Sequence, residues 1–324
     1  MRLGKVSDSR LTRSVMKQIT FKNEEIKKGA GIGEDCAFFS CKDADLLSCV
    51  AEAAVAEVAD MGRLFTSCAN NLYTCNATPV AALMTVILPP ETEEPFLKEM
   101  MKEANRVARE KGLAISGGHT TVSPYVTKPM VSVTALGKRE ASKKKPEKIK
   151  PGMDLVVTKW IALEGTSILA KKYEEKLKKR YPSHLVETAI NFDTYLSVEQ
   201  EAKIAWDKGA VKMHDVSEGG IFAALWEMAE GAAIGVSLDL RKLPIRQETV
   251  EVCEELEKNP YELLGTGSLL IATPDGDSLV EALMEAEIPA VVVGKFTEGK
   301  EKLIFNEDEK RYMDRPAIDQ IYEV

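Results

Sequence analysis

The chain has 324 residues, long for one hydrophobic core, so two domains are the natural reading. Hydrophobic residues make up 44% and charged residues 29%, which places it among soluble globular proteins rather than disordered or membrane ones. A formal charge of −8, from 43 basic and 51 acidic residues, argues against a nucleic-acid partner held through its phosphates and leaves small molecules as the expected partners.

Residues 2–28 are polar with scattered Leu3, Leu11, Val15, Met16 and Ile19, and read as a short helix in an arm. In the next stretch, GAGIGEDCAFF, Gly29, Gly31 and Gly33 precede Glu34 and Asp35. Carboxylates beside glycines suit a Mg²⁺ bridged to phosphates, since Mg²⁺ takes oxygen ligands and often only one or two from protein; an acidic hairpin turn reads the same way. Leu46 to Ala56 is a small-residue strand interrupted by Glu52, an acid in an apolar run that burial would oblige to find a partner. Met61 to Asn76 carries Leu64, Phe65, Cys68, Leu72 and Cys75 on one helical face, with Asn76 placed to close the helix. Asn70 and Asn71 in its middle either face solvent or meet a ligand. Val80 to Leu88 is a buried strand, Glu93 to Lys111 an amphipathic helix ended by Gly112, and Leu113 to Ser116 a further strand. That strand runs into Gly117, Gly118, His119, Thr120 and Thr121, a polar tip at which His119 is a ligand, a hydrogen-bond donor to phosphate or a turn residue. With a strand at Met130 to Gly137, this half is an α+β unit with polar tips at strand ends.

Lys138 to Lys150 is a charge run that reads as a solvated linker, dividing a domain of residues 1–145 from one of residues 146–324. Beyond it come a strand at Leu155 to Thr158, a polar turn at Leu163 to Thr166, a helix through Lys171 to Arg180, His184 in a polar connection, and a helix at Val198 to Lys208. Val211 to Gly235, VKMHDVSEGGIFAALWEMAEGAAIG, then joins a strand, a polar turn and a helix without a spare residue. Ile221, Phe222, Leu225, Met228, Ala229 and Ala232 recur at the spacing of a helical core face, Ser217 or Glu218 starts the helix, and Asp215 is left in the turn. Gly219 and Gly220 leave the first helical turn without side chains, which would let a phosphate approach its N–H groups. A plain connection capped by Asp or Ser fits the same string. Strands near residues 236–240, 268–272 and 290–293 alternate with helices at 248–258 and 277–286. The six cysteines form no CxxC pair and read as reduced intracellular thiols, and the longest apolar run, Val80 to Leu88, is too short to span a bilayer, so a cytoplasmic protein is expected.

Taken together, the polar tips resemble the superfamily of aminoimidazole ribonucleotide synthetase, formylglycinamide ribonucleotide amidotransferase, selenophosphate synthetase, thiamin-monophosphate kinase and the hydrogenase maturation factor HypE. GIGEDCAFF is similar to the family's Gly-x-Gly-Asp-Asp-Ala loop, and AEAAVAE stands where relatives carry Thr-Asp. MGRLFTSCANNLYTCNATPVAALMTVILP resembles its Asn-Asp-Leu helix, ISGGHTTV its Gly-Asp-Thr or Gly-Gly-His-Thr segment, PGMDLVVTKWIALEGTSILA its entry to the second domain, and MHDVSEGGIFAALWEMAE its Asp-x-Ser-x-Gly-Gly helix start. Overall layout and length look most like HypE.

The resemblance implies a two-domain α+β or α/β protein: a small mixed sheet with helices that dimerises through its strands, then a sandwich-like α+β unit. It implies ATP and Mg²⁺ as cofactors, a small acyl or amide acceptor, and phosphorylation or dehydration of that acceptor, chemistry that relies on metal and dipoles to neutralise phosphate charge. Carried over, Glu34, Asp35, Glu52 and Asp215 form the metal set, with Asp35, Asp215 and His119 in catalytic places. Gly31, Gly33, Asn71, Gly118, Thr120, Ser217, Gly219 and Gly220 line the nucleotide. Relatives place an aspartate where this chain has Glu52, Asn71 and His119, and HypE a lysine where it has Thr121; these departures keep open a non-catalytic regulatory relative and a dimeric assembly factor. HypE carries its substrate on a cysteine in a C-terminal tail; here the last cysteine is Cys253, so any acceptor is expected to be a free small molecule or a separate protein.

Overall fold

A computed structural model describes residues 4–5, 12–24, 26–28, 38–39, 43–55 and 57–323. The chain divides into two compact units, one of Met1–Tyr73 with Ala77–Lys143, the other of Thr74–Asn76 with Lys144–Val324.

The first unit is built on β1 (Gly4–Lys5), β4 (Ala44–Ala54), β5 (Thr78–Leu88), β6 (Ala114–Val122) and β7 (Met130–Glu140), in the order β1-β6-β5-β7-β4. Only β5 and β6 run parallel; the other neighbours are antiparallel, and a separate ribbon pairs β2 (Ile26–Lys28) with β3 (Phe38–Phe39). Two helices, α1 (Asp60–Thr74) and α2 (Glu94–Glu110), follow from apolar residues at three-and-four spacing: Met61, Leu64, Phe65, Cys68 and Leu72 on the first, Leu97, Met100, Met101, Ala104 and Val107 on the second are all buried. Asn76 (φ 58°) and Gly112 (φ 70°) supply the left-handed residues that end them, with Ala77 and Leu113 donating back to Leu72 and Ala108. The polar arm is docked rather than loose where it is described: Arg13 makes a two-pronged pair with Glu94 at 2.5 and 2.8 Å, and Ser14 donates to the same carboxylate at 2.9 Å.

Burial along β4 and β7 alternates, and the side that is not packed away stays open. Leu46 and Val50 are exposed there, with Leu83, Ile87, Met130 and Leu136 half-buried beside them. Glu52 lies on this open side, which corrects the expectation that its apolar run would bury it: the run is an edge strand with one face uncovered.

The segment read as a tip at Gly117 to Thr121 is instead the middle of β6. The ladder with β5 shifts register between Ala82 and Leu83, opposite the glycines, and Gly118 takes φ 147° so close to β5 that a Cβ there would lie 1.9 Å from the Met84 carbonyl oxygen. Glycines in a strand that mark close backbone approach mimic a turn signal in sequence.

The second unit carries seven strands in the order β14-β13-β10-β12-β8-β11-β9. They are β8 (Asp154–Thr158), β9 (Lys212–Asp215), β10 (Gly235–Asp239), β11 (Leu269–Thr273), β12 (Ala290–Thr297), β13 (Lys302–Asn306) and β14 (Glu309–Tyr312). The helices are α3 (Leu163–Lys172), α4 (Glu174–Arg180), α5 (Ser183–Ile190), α6 (Glu199–Asp207), α7 (Gly220–Ala232), α8 (Gln247–Glu255) and α9 (Gly276–Glu285). One core joins Ile221, Leu225 and Met228 of α7 to Leu155, Val236, Leu270 and Phe296 of the sheet; a second gathers Leu169, Leu177, Val186 and Val252. The expected polar turn at Leu163 to Thr166 is the first turn of α3, buried because Gly165 packs on Leu263, where a Cβ would lie 2.4 Å from its Cγ. Among the described residues no helix is long and apolar enough to cross a membrane.

Replacing Gly118 by Ala forces both a left-handed backbone and a backbone clash, so a loss of at least about 2 kcal/mol is expected, measured as a lower urea midpoint with an unchanged slope.

Candidate functional site

Along β9 burial alternates, so that Met213 and Asp215 point inward while Lys212 and His214 stay half-buried. Asp215, the last residue of the strand, is 2% exposed and pairs in register with Leu269 of β11. Its Oδ2 has no hydrogen-bond partner. Burial pushes this carboxyl above the ordinary aspartate range, while His214, with Nδ1 at 4.0 Å, pulls weakly the other way. The His214 ring is turned to α7, where its Nε2 lies 3.0 Å from Glu227.

The turn into α7 is held by backbone. The Ser217 carbonyl accepts from Gly220 N–H at 3.1 Å and from Gly265 N–H at 3.2 Å. Gly219 (φ 80°) and Gly220 (φ 65°) are consecutive left-handed residues, and a Cβ on Gly220 would meet the Tyr261 carbonyl oxygen at 2.6 Å and that of Leu263 at 2.8 Å. The close approach that the missing side chains permit is therefore made first by the chain itself. The Gly219 N–H, expected to be open to phosphate, donates to Asp319 Oδ2 at 2.6 Å. Asp319 Oδ1 accepts from Leu264 and Ile321 N–H at 3.2 and 2.8 Å. Sequence reading missed this residue, which sits a hundred positions from the glycine it binds. A carboxylate at the start of a helix suits the helix dipole as a phosphate would.

A cleft of about 680 Å³ opens near the same end of the sheet, lined by Lys159, Trp160, Tyr195, Glu201 and Lys203 among others. Thr158, just before it, accepts from Leu269 N–H at 3.1 Å, and Leu269 is the register partner of Asp215, so one strand separates the two features. Lys159 is buried and satisfied by Glu201 at 2.5 Å and by the carbonyls of Tyr195 and Ser197.

In the first unit the register brings two of the expected residues into one row: His119 pairs with Thr85, Thr85 with Ser132 and Ser132 with Glu52. His119, Thr85 and Glu52 are exposed and Ser132 half-buried, so the row is a polar band across the open face. Thr120, next to His119 on the strand, faces the opposite way and is buried, so it does not share a surface with that band. Asn71 is half-buried on α1, and Gly118 lies inside β6. Gly31, Gly33, Glu34 and Asp35 lie outside the described residues. Among those described, no group of three or more His, Cys, Asp or Glu stands ready to hold a metal.

Residues 33–138 match the AIR synthase related protein, N-terminal domain, and residues 150–306 its C-terminal domain. The chain belongs to the AIR synthase-related family. Within that family it is 26% identical over 334 residues to a putative hydrogenase expression/formation protein of Methanocaldococcus jannaschii, covering 96% of each chain. It is 26% identical over 216 residues to the carbamoyl dehydratase HypE of Rhodobacter capsulatus, covering 64% of this chain and 60% of that one. In fold it is similar to the crystal structure of the hydrogenase maturation protein HypE in complex with ATP, with a TM-score of 0.76 at 16% identity over 98% of this chain and 97% of that one. The two-domain mixed α+β fold expected from the sequence is thus the family's.

Asp215 gives a pH-dependent test. Its folded value lies above the ordinary 3.8, so the folded chain retains a proton that the unfolded chain releases. Its contribution to stability is present below the unfolded value and is lost as pH rises to the raised folded value. Asp215→Asn, neutral at every pH, is expected to raise stability at neutral pH by about 1–3 kcal/mol and to flatten the pH profile of the urea midpoint. A lowered midpoint would show the carboxylate to be paired.

Proposed function

We propose that this family member binds ATP with Mg²⁺ and uses it to activate an oxygen of a small acyl or amide group for phosphorylation or dehydration, as the carbamoyl dehydratase name of its relative indicates. The observation that carries the reading is the buried Asp215 oxygen without a protein partner beside a glycine turn. A desolvated carboxylate oxygen left unpaired costs stability, and such sites are kept where a ligand or metal completes them. A Mg²⁺ or a donor on the substrate would supply what Asp215 lacks, and the family resemblance separately assigns Mg²⁺ binding to Glu34 and Asp35 of the first unit. The cleft beside Trp160 and Tyr195 is the nearby space for an acceptor. ATP as co-substrate, with no disulfide among the described cysteines, suits the cytoplasm.

Calorimetry with ATP, with and without Mg²⁺, tests the reading: Mg²⁺-dependent binding is expected, weakened at least about tenfold by Asp35→Ala, which removes both charge and oxygen ligands. Equal binding by that variant would refute the metal placement. His119→Asp, which restores an oxygen donor, is expected to tighten Mg²⁺ binding. The absence of ATP binding would favour the second reading, a regulatory relative, for which the supporting observation is Asp319 seated on the Gly219 N–H.

We infer further that the open face of the first sheet is covered by a second copy of the chain. Leu46 and Val50 project there from an edge strand at 48% and 60% exposure, an apolar surface that a lone domain would leave wet. Light scattering at micromolar concentration is expected to give a dimer for the parent and a monomer for Val50→Lys, whose exposed site spares the fold; a monomeric parent would overturn the inference.

A further inference from the structure

Two cysteines outside the candidate site lie against each other. Cys49 occupies an inward position of β4, alternating with exposed Ser48 and Val50, and is half-buried. Cys68, nineteen residues on, is fully buried on the inner face of α1. The Cys49 thiol donates to the Cys68 carbonyl oxygen at 3.2 Å, and the Cys68 thiol donates to the Val133 carbonyl at 3.4 Å. Val133 pairs with Ala51, two residues beyond Cys49 on the same edge strand, so both sulfurs sit in the narrow space between β4, β7 and α1. The neighbouring Cys49 side chain, followed by burial, holds the Cys68 thiol above the usual thiol range. Neither is in a disulfide, and neither lies in the polar band or in the Asp215 turn.

We propose that Cys49 and Cys68 are a modification site: an intrachain disulfide forms between them when the protein meets a peroxide, with Cys49 as the point of entry. Access decides the order, since Cys49 is half-buried and Cys68 is sealed. The Cys49 sulfur attacks one peroxide oxygen, the O–O bond breaks, and a sulfenic acid forms as the other oxygen leaves as water or alcohol. The Cys68 sulfur then attacks the Cys49 sulfur; the S–S bond forms, the S–O bond breaks, and the hydroxyl leaves as water with the Cys68 proton. Sulfur is oxidised and peroxide reduced, and a dithiol reverses the change by exchange. The product ties the edge strand to the helix behind it. Because Cys49 faces that helix and not the open face, the inference does not depend on the dimer or on ATP.

Peptide mapping of the full chain tests it. Tryptic cleavage puts Cys49 on residues 43–63 and Cys68 on residues 64–98, together with Cys75. After treatment with a modest excess of hydrogen peroxide, alkylation and non-reducing digestion, the expected result is a cross-link between these two peptides, two hydrogens lighter than their sum and cleaved by dithiothreitol. It should persist in Cys75→Ser and vanish in Cys49→Ser. If Cys68→Ala folds poorly, fragment ions of the parental cross-link identify the partner sulfur instead. Both thiols fully alkylated after oxidation, Cys49 found as sulfinic acid without a cross-link, or a cross-link running to Cys75 would each overturn the proposal.

Discussion

The consecutive left-handed glycines at the head of α7 are the joint on which the second unit's site depends. Gly219 and Gly220 let the backbone pass within contact of the Tyr261 to Leu263 segment, which no residue with a Cβ would permit at Gly220. That approach sets where α7 starts and leaves Asp215 at the strand end just before it. It also aims the Gly219 N–H at Asp319 and lets Phe222 lie 5.1 Å from Tyr261 in a stacked pair. One backbone constraint thus links β9, α7, the loop after α8 and the C-terminal segment.

Most of the regular elements were legible because they obey local periodicity. The α1 and α2 faces, their left-handed closing residues and the all-buried strand β11 are written in spacings of a few residues. What was not legible depends on distant partners. Gly117 and Gly118 look like a turn until β5 is beside them, and the turn-like Leu163 to Thr166 becomes helix only because Gly165 finds Leu263 a hundred residues away. Asp319 has no local signature at all, since its partners are Gly219, Leu264 and Ile321. The site was legible to the extent that it is one short string: Asp215, Ser217, Gly219 and Gly220 come together because they are adjacent. The alignment of His119 and Glu52 in one row, three strands apart, depends instead on strand registers that no window of sequence contains.

The open face of the first sheet combines two demands. Leu46, Val50, Leu83 and Ile87 favour being covered, whereas the His119–Thr85–Ser132–Glu52 band must keep hydrogen-bond partners if it is covered. A flat hydrophobic partner would strand the band. A surface that is itself striped apolar and polar satisfies both, and a second copy of the same face has that pattern by construction. Register also carries a sign here: a slip by one residue would bury the band's side chains in the core and expose Val131 and Val133, so the register shift at Ala82 and Leu83 helps to fix which face is packed and which stays open.

Asp215 and Asp319 show how one fold gives two buried carboxylates opposite tasks. Both are 2% exposed. Asp319 meets three backbone N–H groups, one of them heading a helix, and so its charge is fully used in fastening a segment. Asp215 keeps one oxygen unpaired, and burial opposes its charge. A residue selected for stability alone would be the first kind. The second kind persists where the missing partner arrives from outside, so that ligand binding relieves a penalty built into the folded chain and the two states differ in the energy of one carboxylate. On this ground we propose the orphaned Asp215, and not the tightly bonded Asp319, as the residue around which the chemistry of this site is organised.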